Sequence, residues 1–195
     1  SNTVEHWDGV TWAYSSNFTN LFASGLGQSG AGSQNAGLIF GGHYSGSATA
    51  DSNTTHKWDG TSWSGANYLP AVQYCNAGDG TQNAALSNGY PGGNTYTYDG
   101  TDWSTHSARN SSPATNRVPY AGTVNAGLLI GGAVGDGEQT CTEEFDGSSW
   151  SVRASLIDAR FANAGVGTVN DAVTYRGDYP GTVGTYNENY DGIAW

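Results

Sequence analysis

The sequence predicts an all-β chain of repeated four-stranded units, and three observations carry that expectation. First, an aromatic residue, Asp-Gly, two further residues and a Trp recur five times, as Trp7-Asp8-Gly9-Val10-Thr11-Trp12 and again at 58–63, 98–103, 145–150 and 190–195. Second, a Gly-x-x-Asn element starting at Gly32, Gly80, Gly122 and Gly167 precedes each of the last four copies and opens a short run of apolar or small residues. Third, no stretch sustains a 3.6-residue apolar period, and the 30 glycines of this 195-residue chain would interrupt any helix.

Asp-Gly between aromatic flanks is a strong hairpin signal, because a two-residue type I′ turn needs positive φ at both central positions. With Asp-Gly at the centre, Trp7 faces Val10, and Trp7 and Trp12 become a diagonal pair on one face. A lone hairpin cannot bury such a face, so the copies must pack on one another. The runs that follow Gly-x-x-Asn, such as Ala36–Phe40 and Ala126–Ile130, end on Gly41-Gly42, Gly131-Gly132 and Gly177, with a weaker version at Leu86-Ser87-Asn88-Gly89. A further small-residue segment precedes each run, clearest at 159–166, which makes four strands per unit. Successive Asp-Gly pairs lie 51, 40, 47 and 45 residues apart, the spacing of four-stranded β-propeller blades. The chain therefore reads as a single β-propeller domain over 1–195, with a blade fragment at 1–12 and blades at about 13–63, 64–103, 104–150 and 151–195.

Glycines closing the second strand, followed by an aromatic residue and a Trp five residues later, resemble kelch-type β-propeller repeats. The segments Gly80-Thr81-Gln82-Asn83-Ala84-Ala85-Leu86 and Tyr98-Asp99-Gly100-Thr101-Asp102-Trp103 more narrowly resemble repeat-rich proteins of marine phages and environmental bacteria. The resemblance covers nearly the whole chain and implies the fold; propellers carry unrelated activities, so it does not imply a function. Asn88-Gly89 and Arg176-Gly177 depart from the expected glycine pair. Kelch-like propellers include copper-radical sugar oxidases with a Cys linked to a Tyr. Tyr74 and Cys75 are adjacent here, but the metal-binding context is unmatched and that activity is not carried over.

A chain of this length buries roughly 70% of the surface its unfolded form exposes, as one domain. Six Lys and Arg oppose 17 Asp and Glu, for a net charge of −11. That balance repels phosphate backbones and anionic bilayers, so neither nucleic-acid binding nor membrane insertion is expected. The longest apolar stretch, 126–134, is too short and too glycine-rich to span a bilayer. With no Met anywhere, the chain reads as having lost its beginning, and a surface of Ser, Thr, Asn and Gly with one Lys suits an extracellular or virion-surface location. Cys75 and Cys141 fall in neighbouring units, either as a bridge or as two buried thiols. Acceptor patterns for N-glycosylation begin at Asn17, Asn53 and Asn110, as chance would produce in this composition.

The repeat starts in mid-unit, with only third and fourth strands before the first complete unit. The chain is then a piece of a longer one, or another chain donates the strands, or four blades close with the hairpin packed as an extra. The Asp-Gly turns fall on one rim of the blades; the loops on the other rim, 43–53, 90–95, 133–140 and 178–185, vary. Variable loops on a rigid scaffold are where repeat proteins bind. Three of them begin Tyr44-Ser45-Gly46, Tyr90-Pro91-Gly92 and Tyr179-Pro180-Gly181. A Tyr beside a tight turn offers a face to a sugar ring, and Asp51, Asn94 and Asp178 offer acceptors for its hydroxyls. The competing reading is that each Tyr caps its hairpin and the following residues only make the turn. Asp8, Asp59, Asp99, Asp146 and Asp191 read as turn residues and the repeated Trp residues as core. Residues 135–138 supply too few oxygens for Ca²⁺. His6, His43, His56 and His106 show no metal-ligand spacing, so no enzyme and no cofactor is expected. The expected function is a binding module attaching to a cell-surface glycan or protein receptor. The alternative is a structural subunit of a fibre or filament, its half blade completed by copies of itself or by other virion or fibre chains.

Overall fold

The computed structural model describes residues 3–17, 25–44, 52–110, 118–134, 137–179, 182–183 and 186–195. The chain is all-β, with no helix among the described residues. Three full sheets are four-stranded antiparallel meanders. The first joins Ser29–Ser33, Ala36–Phe40, Thr55–Trp58 and Trp63–Ala66. The second joins Tyr74–Thr81, Ala84–Tyr90, Thr95–Tyr98 and Trp103–His106. The third joins Tyr120–Thr123, Ala126–Ile130, Thr142–Phe145 and Trp150–Val152. Before them lies the hairpin of Thr3–Trp7 and Trp12–Asn17. After them comes a C-terminal sheet of Ala164–Thr168, Asp171–Tyr175 and Asn187–Tyr190. The first strands of the four consecutive sheets pack side by side in chain order. No closed propeller is detected among the described residues.

The Asp-Gly turn differs from the type I′ expectation. Trp7 lies directly opposite Trp12, and Trp58 opposite Trp63, Tyr98 opposite Trp103, and Phe145 opposite Trp150. The central pair of the turn is therefore Gly9-Val10 rather than Asp8-Gly9. Gly9 has φ +99°, a conformation that glycine adopts without steric cost. The Asp8 carboxylate explains the shift: its Oδ1 accepts the backbone N–H groups of Val10 and Thr11, both at 2.7 Å. Moving the register by two residues keeps each side chain on its face, so the aromatic pair stays on one side but becomes a direct cross-strand contact. Ring centroids in the five pairs are 5.0–5.6 Å apart. The Trp consequently begins the fourth strand in the full sheets rather than ending it.

Strand alternation gives each sheet two unlike faces, and these decide how sheets pack. On one face sits the aromatic pair; on the other sit Leu38 and Phe40 in the first sheet, Leu86 in the second, and Leu128 and Ile130 in the third. Tyr98 and Trp103 of the second sheet pack against Leu38 and Phe40 of the first. Phe145 and Trp150 pack against Leu86, and Tyr190 and Trp195 against Leu128 and Ile130. A hydrogen bond repeats at each of these three interfaces. The indole N–H of Trp103 donates to Thr55 Oγ1 at 3.0 Å, that of Trp150 to Thr95 at 2.7 Å, and that of Trp195 to Thr142 at 2.9 Å. All three threonines open a third strand and are fully buried. Burial without a partner would cost each indole N–H about 1–3 kcal/mol, so Thr at this position is a packing requirement.

Candidate functional site

The turns between first and second strands lie on the Asp-Gly rim. A Cβ on Gly60, Gly100 or Gly192 would come within 3.3–3.5 Å of the Asn side chain of that turn, Asn35, Asn83 or Asn170. This rim is built the same way in every unit. The opposite rim is built differently each time, and glycine geometry sets the difference. Gly41-Gly42 and Gly131-Gly132 have φ of 66°, 107°, 71° and 104°. This positive-φ pair ends the second strand and aims the second glycine's N–H at the next sheet: Gly42 donates to Gln73 O at 2.7 Å and Gly132 to Arg160 O at 2.9 Å. Arg176-Gly177 adopts the same pair of conformations, φ 57° and 101°, so this departure from the glycine pattern is conformationally silent. Asn88-Gly89 does not; the strand runs on to Tyr90 and carries that ring out to the rim.

Beneath Tyr90 lies a saturated polar network. Gln73, fully buried, donates from Nε2 to Asn94 O at 2.7 Å and accepts from Ser87 Oγ at 2.7 Å. Asn88 Nδ2 donates to Gly93 O and to Thr95 Oγ1, both at 2.9 Å. Above it three half-buried rings meet. Tyr74 and Tyr90 are register partners on adjacent strands of the second sheet, in edge contact at 5.2 Å. His43, in a two-residue strand just after the first sheet's second strand and paired with Leu26, tilts against Tyr74 at 5.5 Å. A ligand ring can lie on this ladder, with the phenol hydroxyls as hydrogen-bonding groups.

Of the residues expected at this rim, Tyr90 is in the ladder. Asn94 is beside it, but its side chain hydrogen-bonds the Tyr96 phenol and its carbonyl takes Gln73, so it is committed to the scaffold. Tyr44, Asp178 and Tyr179 have described backbones in two-residue strands, with Tyr44 paired to Gly25 and Asp178 and Tyr179 to Val183 and Thr182; their side chains, and the whole of Asp51, lie outside the described residues. His43 and Tyr74 were not singled out from sequence as ligand-facing. The rings at 43, 74 and 90 are far apart in the chain; strand pairing joins Tyr74 to Tyr90, and only tertiary packing brings His43 to them.

Other charged groups are structural. The five turn aspartates are fully exposed, and backbone N–H donation inside each turn holds each carboxyl below the usual aspartate range. Two buried carboxylates escaped sequence reasoning. Glu143 accepts Asn110 N–H at 2.7 Å, and Glu188 accepts Ile157 N–H at 2.7 Å while pairing with the buried Arg160 guanidinium. Arg160 also donates to Tyr186 O at 3.2 Å. Each acid ties the loop before its sheet to the third strand of that same sheet. Cys141 carries a thiol that donates to Gly131 O at 3.5 Å; the Cys75 side chain lies outside the described residues. Among the described residues no three His, Cys, Asp or Glu side chains gather as metal ligands, and no helix long and apolar enough to cross a membrane occurs there. No protein-family model matches the chain, and no curated protein matches it.

Proposed function

We propose that this chain is part of a β-propeller of kelch-like blades and serves as a binding module, without catalysis, that attaches to a surface glycan or receptor outside the cell or on a virion. The ladder of His43, Tyr74 and Tyr90 carries this reading: three half-exposed rings held on a rigid, fully hydrogen-bonded base. Such a base holds the rings in place before a ligand arrives and reduces the ordering cost of binding. The acidic surface favours neutral or cationic ligands over phosphates and sulfates. Sugar rings present C–H faces to aromatic side chains and hydroxyls to polar groups, which suits a ladder of rings that carries phenol hydroxyls.

Glycan-array and whole-cell binding test the reading. Tyr90→Ala and Tyr74→Ala should each weaken binding about tenfold, equivalent to about 1.4 kcal/mol, with strand content unchanged by circular dichroism. Absence of binding to any glycan or cell, or binding indifferent to both substitutions, would overturn it.

A further inference from the structure

The chain already holds one ammonium group on an aromatic face. Lys57, its one lysine, places Nζ 5.3 Å from the centre of the Tyr98 ring and donates to Gly100 O at 2.6 Å. The ladder of His43, Tyr74 and Tyr90 offers the same kind of surface to a molecule from outside, because the face of an aromatic ring is the negative part of its quadrupole and attracts cations. Tyr74 and Tyr90 stand at 73° to one another and His43 at 48° to Tyr74, so no flat ring can cover all three at once. Faces turned in different directions suit a compact cation, which is attracted to each face it reaches.

The charges near the ladder point the same way. At the next such joint, between the third and C-terminal sheets, Arg160 stands in the place of Gln73. Gly132 N–H donates to its carbonyl as Gly42 N–H does to that of Gln73, and its guanidinium donates to Tyr186 O as the Gln73 amide does to Asn94 O. Beneath the ladder that position is a neutral amide, and Tyr96 occupies the place of Glu188, the partner of Arg160. Arg109, whose backbone N–H donates to Gly93 O, has its guanidinium buried beside Glu143. The net charge of −11 draws cations from solution toward the surface.

We infer that the ladder takes a glycan whose amino sugar carries a free, protonated amine, with the ammonium group on a tyrosine face and the sugar carbons alongside. This rests on the reading of the ladder as the ligand-binding site and narrows its ligand to a cationic sugar. Acetylation of the amine removes the charge and with it the attraction to the ring faces and to the acidic surface.

Calorimetric titration with short oligomers of glucosamine and of N-acetylglucosamine, matched in length and used where the free amine is protonated, tests this. The glucosamine oligomer should bind about tenfold more tightly than its acetylated counterpart, and its affinity should fall as salt is added. Replacing both tyrosines by leucine, Tyr74→Leu with Tyr90→Leu, leaves the net charge and much of the apolar bulk but should bring the two oligomers to equal affinity. The double variant Tyr74→Phe with Tyr90→Phe keeps the rings and should keep the preference, even where overall affinity drops. A preference that survives the leucine pair would be bulk charge attraction and would overturn the inference. Equal or tighter binding of the acetylated oligomer, still dependent on Tyr74 and Tyr90, would overturn it while the binding-module reading stood. Failure of every oligomer, array glycan and cell to bind would overturn both.

Discussion

Trp12 and Trp103 end the same kind of turn, yet one is 67% exposed and the other 9%. Their local surroundings match: each faces an aromatic partner directly across the hairpin, and each follows an Asp that accepts two backbone N–H groups at 2.7–2.8 Å. The difference lies in what stands in front. Trp103 meets Leu38, Phe40 and the Thr55 hydroxyl of the preceding sheet. The turn is thus a property of six residues, whereas burial belongs to an interface between two sheets.

The largest effect that would break this comparison is truncation of the two indoles. Trp103→Ala should cost about 3–5 kcal/mol, as deletion of a buried aromatic side chain does. Trp12→Ala should change the stability of the monomer by no more than about 0.5 kcal/mol. Chemical denaturation at low concentration measures both, and equal losses would show that the aromatic pair stabilises the hairpin itself rather than the sheet-to-sheet contact.

A smaller effect isolates the hydrogen bond. Thr95→Val conserves shape but removes the acceptor of the Trp150 indole and of Asn88 Nδ2, and should cost about 1–3 kcal/mol. The same position in the N-terminal hairpin is already Val4, aligned by its place three residues before the aromatic. A neutral Thr95→Val would mean that water reaches the indole and that the repeated threonine is incidental.

The smallest effect concerns the turns alone. A carboxyl whose folded pKa is depressed stabilises the fold above its unfolded value of about 3.9 and loses that contribution as pH falls through the folded value. Backbone hydrogen bonds depress all five aspartates. Carboxyl carbon titration by NMR should therefore place Asp8, in the hairpin with the exposed aromatic pair, below about 3.9 along with Asp99 and Asp146, whose turns carry buried aromatic pairs. An Asp8 midpoint at the unperturbed value would show that the turn needs a packed sheet behind it.

Much of the fold was legible in the sequence because its signals are short-range. Asp-Gly before a Trp, and a glycine three residues before an Asn, are local instructions for reversing the chain, and they located the hairpins of every unit. Type I′ was the wrong turn because Asp8 acts through its side chain, which supplies the acceptor that moves the turn centre onto Gly9. The candidate site was legible only at Tyr90. Its neighbours His43 and Tyr74 come from other strands, and periodicity says nothing about which rings meet across a sheet interface.

What the sequence determined alone is the alternation that sends aromatic pairs to one face and Leu, Ile or Val to the other, and the turns that repeat it. Both follow from backbone sterics and a side-chain period of two. The tertiary structure decided which of these faces are covered, which threonine receives each indole, that Arg176 can stand in for a glycine, and that Glu143 and Glu188 are buried loop anchors. Those outcomes depend on desolvation and on hydrogen bonds between residues 31 to 55 positions apart in the chain, and a pattern read along one strand carries no information about the surface that strand will meet.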